Sequence, residues 1–109
     1  MNSLSTHILD LALGKPAAGV RVTLSRGITD LGSESTDFEG RVRSFGALDS
    51  ALLPGDFQLT FVVAEYFSKA GRGCFFPEIV IRFTVGAGSR RYHVPLLLSP
   101  FGYSTYLGS

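Results

Sequence analysis

The sequence has little cysteine, histidine or tryptophan: one cysteine, two histidines and no tryptophan among its 109 residues. The lone Cys74 excludes an intrachain disulfide, and we interpret it as a packing residue. Two histidines and one cysteine are too few for a closed four-ligand zinc site, so we expect no metal, and we expect no other cofactor. The absence of tryptophan excludes the Cys–Trp–Cys pattern of true immunoglobulin domains.

Charge is also scarce. Charged residues make up 17% of the chain and the formal net charge is +1, whereas average domains carry roughly a quarter charged residues. This balance argues against a nucleic-acid partner. Because hydrophobic residues reach 45%, we expect part of the surface to be buried against other copies of the chain, in preference to a monomer with an apolar surface.

Long hydrophobic runs are absent as well. No stretch approaches the ~18 apolar residues of a membrane span, and Met1–Leu4 shows neither the basic leader nor the apolar core of a secretory signal. We therefore expect a cytoplasmic protein without a membrane partner. The length suits one domain covering residues 1–109.

The sequence does have an apolar period of two. Val20, Val22 and Leu24, for example, alternate with polar neighbours, which is typical of strands with one face on a core. A short helix is predicted at 64–70. Many short strands with almost no helix predict an all-β fold, an antiparallel sandwich or barrel, and the length favours a two-sheet β-sandwich. Strands are predicted near 4–10, 19–26, 28–35, 41–46, 56–63, 78–85, 91–98 and 103–107.

Three polar residues interrupt the apolar pattern. His7 and His93 lie inside predicted strands, and Arg41 follows a Glu-Gly turn. Each is open to a purely structural interpretation, as a satisfied sheet residue or a surface charge. Together, however, two imidazoles suited to proton transfer and one planar cation have the chemistry to activate water and hold an oxyanion.

The segment Tyr92–Ser109 stays apolar and aromatic almost throughout. Chain ends usually fray and carry polar residues. We therefore expect this segment to be docked, either because it completes a sheet or because it lines a site.

These segments carry a resemblance to a known family. Leu4–Asp10 together with Gly14–Ala17 is similar to the N-terminal signature of the transthyretin-like family, and Glu39–Arg41 is similar to its usual Asp-Gly-Arg turn. Tyr92–Ser109 resembles the C-terminal signature, which in the family's 5-hydroxyisourate hydrolases closes with Tyr-Arg-Gly-Ser. The resemblance extends over essentially the whole chain.

The resemblance implies a transthyretin-type sandwich with one short helix, assembled as a homotetramer with active sites in a channel between dimers. It also implies hydrolysis of 5-hydroxyisourate, a purine-derived substrate of urate degradation, by opening of the six-membered ring at an amide carbonyl. The residues that match the family's catalytic positions are His7, Arg41 and His93. The residues at the positions of the closing tetrapeptide, expected to bind substrate, are Tyr106, Leu107, Gly108 and Ser109.

Two positions depart from the family pattern. Leu107 replaces the arginine of the tetrapeptide, so we predict a weakened hydrolase, and Arg91 stands where many members have a further histidine. The alternative is a non-catalytic carrier of the transthyretin type that binds an aromatic ligand in the same channel. A purely structural sandwich module is the third possibility, but it leaves the strand histidines unexplained.

Overall fold

The computed structural model describes residues 2–45 and 52–109. In these residues, no helix is long and apolar enough to cross a membrane. The elements of the described ranges, in chain order, are β1 (Ser3–Asp10), β2 (Lys15–Pro16), β3 (Arg21–Arg26), β4 (Thr29–Ser35), β5 (Arg41–Val42), β6 (Gly55–Val62), α1 (Ala64–Lys69), β7 (Glu78–Val85), β8 (Arg91–Ser99) and β9 (Gly102–Thr105).

The strands form two sheets. One has the order β2-β1-β8-β9, with β5 also paired to β1, and the other has the order β4-β3-β6-β7. The β1–β8 pair is parallel, whereas the other pairs are antiparallel. β1 and β8 have a hydrogen-bonded neighbour on both sides, so they are the interior strands of their sheet.

The core lies between the two sheets. In β1, the buried residues alternate with half-buried ones along the whole strand, as the period of two requires. Phe57, Leu59 and Phe61 of β6 face them from the other sheet, and all three are at most 2% exposed. Helix α1 seals one edge with the buried Phe67. The inner face of the first sheet is therefore committed to packing, and only its outer face is available for a site.

The described fold confirms the all-β, two-sheet prediction and the short helix. The strand predicted at 78–85 has those bounds, and most others shift by one or two residues. The strand predicted at 41–46 is wrong beyond Val42, because the chain leaves β1 there, and residue 46 lies outside the described residues. The final strand is β9 (Gly102–Thr105), shorter than predicted, and β2, a two-residue exposed pairing, gave no signal in the sequence.

A buried carboxylate fixes the end of β1. Asp10 is fully buried, and its two oxygens accept hydrogen bonds from the Arg72 guanidinium at 2.7 and 3.3 Å, from the Tyr66 hydroxyl at 2.7 Å and from the Leu13 N–H at 3.1 Å. The Arg72 guanidinium also lies over the Phe67 ring. Because Tyr66 and Phe67 belong to α1, these contacts join the strand to the helix.

Candidate functional site

The outer face of the first sheet brings the two histidines together. In the parallel register, Ser5 lies opposite His93 and His7 lies opposite Pro95. His7 and His93 are thus diagonal neighbours on adjacent strands, and both are half-buried on the face turned away from the core. Residues two apart on a strand share a face. Ser5 therefore lies on the same face as His7, directly across from His93.

Arg41 reaches this face through a tight turn. Its Cα is the cross-strand partner of His7. One Asp37 carboxylate oxygen accepts hydrogen bonds from the N–H groups of Glu39 at 2.9 Å and Arg41 at 3.0 Å. Between these two residues, Gly40 adopts a φ of +76°, and a Cβ there would lie 2.5 Å from the Ile8 carbonyl oxygen. Only glycine fits this approach, so the turn fixes where Arg41 begins.

His93 is held through both its side chain and its backbone. Its Nδ1 lies 2.8 Å from the Ser5 hydroxyl, so Nε2 is the ring nitrogen available to face a ligand among the contacts of the described residues. The Gly108 N–H donates to the His93 carbonyl oxygen at 2.7 Å. A Cβ at Gly108 would lie 2.7 Å from the His93 ring carbon Cδ2. The absence of a side chain at residue 108 therefore makes room for the imidazole.

These residues border a cavity of about 400 Å³, which we call the first cavity. Arg41 and His93 line it, whereas His7 is not among the lining residues and is the cross-strand partner of Arg41. Volumes of this size suit small-molecule sites. The residues that line it are Ser3, Ser5, Thr6, Arg41, Val42, Arg43, Arg91, His93 and Ser109.

The electrostatic field of the site favours neutral imidazoles. Burial and then the positive charge of Arg41 lower the pKa of His7 below its ordinary value of 6.5. Burial, Arg41 and His7, in that order, lower the pKa of His93 in the same way. At neutral pH both rings are therefore unprotonated and able to accept a proton. Arg41 is thus close enough to lower the pKa of both rings.

The tetrapeptide residues divide between two cavities. Ser109 lines the first cavity, and Gly108 contacts His93 as described. Tyr106 and Leu107 instead line a second cavity of about 510 Å³, together with residues of β7 and the segment that follows it. Both are more than half exposed. Tyr92–Ser109 thus does both things expected of it, since it supplies two strands of a sheet and also lines a cavity.

Sequence reasoning missed three contributors. Ser5 contacts His93 through its hydroxyl, and its position two residues before His7 on the same strand face was the available signal. Asp37 organises the turn before Arg41, as an aspartate ahead of a glycine often does. Arg43 lines the first cavity and forms ion pairs with Glu39 and Asp37. Among residues 2–45 and 52–109, no group of three His, Cys, Asp or Glu side chains is placed to hold a metal ion.

Comparison with known proteins places this arrangement in a family. Residues 4–108 match the model of the HIUase/Transthyretin family. A 5-hydroxyisourate hydrolase of Salmonella dublin is 45% identical over 99% of this chain and 82% of its own length. The structure of a Klebsiella pneumoniae 5-hydroxyisourate hydrolase aligns with a TM-score of 0.91 at 41% identity over 100% of both chains. Transthyretin from Sparus aurata aligns with a TM-score of 0.89 at 27% identity, over 96% of this chain and 95% of its own. The chain belongs to the HIUase/Transthyretin family.

Proposed function

We propose that this protein hydrolyses 5-hydroxyisourate, as its relatives from Salmonella dublin and Klebsiella pneumoniae are named for doing. The observation that carries the proposal is the convergence of His7, Arg41 and His93 on the outer face of β5, β1 and β8. A carrier needs a binding site of complementary shape with apolar contacts. Two neutral imidazoles beside a guanidinium can instead transfer protons and stabilise an oxyanion.

In the proposed reaction, water adds to a carbonyl carbon of the six-membered ring. One imidazole takes a proton from the attacking water, and the carbonyl oxygen gains the negative charge of a tetrahedral intermediate. The Arg41 guanidinium stabilises that oxyanion, because a permanent planar cation can donate two parallel hydrogen bonds. Lowered histidine pKa values keep the accepting ring unprotonated at neutral pH.

The intermediate then collapses and the ring C–N bond breaks. The leaving nitrogen takes a proton from the imidazolium, which returns both histidines to the neutral state. The carboxylic acid product then releases its own proton to solvent. Ser5 holds His93 at Nδ1, which directs Nε2 to the reacting atoms. Gly108 leaves space for the ring, and Ser109 lines the cavity in which substrate is held.

Replacing Gly108 by alanine is expected to lower kcat/KM by roughly tenfold to a hundredfold, with little change in thermal stability. The new methyl group turns the His93 ring away from Ser5, and displacement of a catalytic group by about 1 Å has effects of this size. Gly73→Ala is the matched control, because nothing lies within 4 Å of a Cβ there. Equal loss in both variants, or none in Gly108→Ala, would contradict this role of Gly108.

We propose further that the active form is a homotetramer acting in the cytoplasm, in keeping with a chain whose single cysteine forms no intrachain disulfide. Several apolar side chains near β9 are exposed, among them Phe101, Tyr106 and Leu107 at 75%, 58% and 57%. Isologous contacts between copies would bury them. Light scattering at micromolar concentration should report about four chains per particle, and a monomer throughout that range would contradict the assembly.

We propose that Tyr106 and Leu107 take part in substrate binding only in the assembled homotetramer. Within one chain they line the second cavity, so they contact substrate only where another copy brings the two kinds of cavity together. Leu107 supplies no charge there, and we propose that this weakens the activity relative to a chain with arginine. The same apolar residue is the observation that favours the second candidate, a carrier for an aromatic ligand.

The two candidates differ in one measurement. The absorbance of 5-hydroxyisourate, freshly generated from urate, is followed with and without the protein at neutral pH. A hydrolase accelerates the decay in proportion to protein concentration, whereas a carrier binds the compound and leaves the decay rate unchanged or slower.

A further inference from the structure

Arg91 occupies a position at the first cavity to which no role has been given. It begins β8 on the face that carries His93, two residues farther along the strand, and its Cα is the parallel partner of Ser3. Both Arg91 and Ser3 line the first cavity. The side chain of Arg91 is exposed, so a small molecule that contacts His93 has access to it.

The charged side chains among the described residues that line the first cavity are all cations. Arg41, Arg43 and Arg91 line it, and none of the described residues that line it is an aspartate or glutamate. Arg43 is engaged by Glu39 and Asp37. Neither Arg41 nor Arg91 has a carboxylate within ion-pair distance in the described part of the chain, although Asp37 acts on Arg41 from farther away. Two guanidiniums without a carboxylate at ion-pair distance in the described residues therefore line the cavity together with His93.

We propose that Arg91 binds the carboxylate that ring opening creates, and that it makes the first cavity selective for ring compounds bearing an anionic group. The inference rests on the proposed function. Hydrolysis of a cyclic amide places the water oxygen on the carbonyl carbon, breaks the C–N bond and sends a proton to the nitrogen. The resulting acid loses a proton, so a carboxylate appears beside the residues that activated the attacking water.

The positions of the two cations suit different moments of this reaction. Arg41 lies beside His7 and acts on both imidazoles, so it meets the oxyanion. Arg91 begins β8, two residues before His93, and has no carboxylate at ion-pair distance among the described residues, so it is placed to meet the anion that remains after the bond breaks. A guanidinium and a carboxylate form paired hydrogen bonds that an ammonium cannot reproduce.

The test uses two planar ring compounds that differ by one carboxylate, orotate and uracil, as inhibitors and as ligands in calorimetry. We expect the protein to bind orotate roughly tenfold more tightly than uracil, the size of one charge-assisted hydrogen-bonded contact. Arg91→Gln should remove this preference by weakening orotate roughly tenfold while leaving uracil unchanged. Arg91→Lys should retain part of it, because the charge remains and the planar fork does not.

Arg21→Gln is the matched control, since Arg21 is exposed on β3 of the other sheet and its loss lowers the net charge equally. Equal binding of orotate and uracil to the parent would overturn the proposal. So would a preference that survives Arg91→Gln or that Arg21→Gln abolishes as well. Absence of 5-hydroxyisourate turnover in the parent would overturn the proposed function instead, and the orotate preference would still decide the role of Arg91.

Discussion

Replacing His7 or His93 by asparagine is expected to lower kcat by about 10²–10⁴, the usual contribution of a positioned acid or base. Asparagine keeps a polar side chain of similar reach but cannot take and return a proton. Because the two imidazoles share the proton transfers, the double variant should be little worse than the more damaging single variant. Initial rates on fresh 5-hydroxyisourate measure the loss, and circular dichroism melting checks that each variant folds.

Arg41→Lys belongs to the same prediction. Lysine retains the positive charge but presents it as a point, so it stabilises the oxyanion less well. We expect a loss of roughly tenfold to a hundredfold, the value of a charge-assisted hydrogen bond. Arg21→Lys on the other sheet is the control and should keep parental activity. If His7→Asn, His93→Asn and Arg41→Lys all fold and keep parental rates, the three residues are structural.

The pH profile of kcat/KM follows from the same site. The pKa of His7 and of His93 in the folded protein lies below 6.5, so activity should hold as pH falls from 8 to 6.5. It should then decline on an acid limb below 6.5, where the rings become protonated. The unfolded chain takes up these protons at higher pH than the folded chain does. Stability therefore also decreases as pH falls through this range.

Replacing Asp10 by asparagine is expected to lower the free energy of unfolding by about 3–5 kcal/mol at neutral pH, the usual cost of removing one partner from a buried ion pair. The substitution leaves the largely buried Arg72 guanidinium without its counter-charge and weakens the acceptor for Tyr66. Urea unfolding at pH 7 measures the difference. Asp30→Asn, at an exposed position of β4, is the control and should change stability by less than about 0.5 kcal/mol.

The effect of Asp10→Asn should also depend on pH. Burial by itself raises the pKa of the Asp10 carboxyl, but the hydrogen bonds from Arg72 and Tyr66 outweigh it and hold that pKa below its ordinary value. A depressed carboxyl pKa stabilises the folded state above the unfolded-state pKa, and this contribution is lost as pH falls through the folded-state pKa. The parent and Asp10→Asn should therefore converge in acid. A constant difference down to the lowest measurable pH would contradict this.

The sequence was sufficient for the strands whose apolar residues alternate and insufficient where pairing is set by distant residues. β7 and β1 follow their alternation closely. Residues 43–45 fall within a predicted strand and Phe45 is buried, yet they form no strand, because β5 pairs with β1 over Arg41 and Val42 only. The exposed Lys15–Pro16 pairing of β2 carries no apolar signal. The apolar pattern of a segment indicates which face of a strand is buried, but it does not indicate how far that strand pairs with its neighbour.

The candidate site was predictable in its residues and not in its contacts. His7, Arg41 and His93 interrupt the apolar pattern and match the family's catalytic positions. Their approach depends on a parallel register between strands that lie far apart in sequence. The contact between Ser5 and His93 joins residues 88 positions apart. The division of Ser109 and Leu107 between two cavities also arises from how β9 and the following residues turn past β8, which no short motif encodes.

The most direct test of the central claim is the decay of fresh 5-hydroxyisourate in the presence of the parent protein and of the His7→Asn/His93→Asn double variant. Catalysis by the paired imidazoles predicts a decay rate that rises linearly with parent concentration. At equal concentration, the rate above background should be at least a hundredfold lower for the folded double variant. A parent protein that leaves the spontaneous decay unchanged, or a double variant as fast as the parent, would contradict the account.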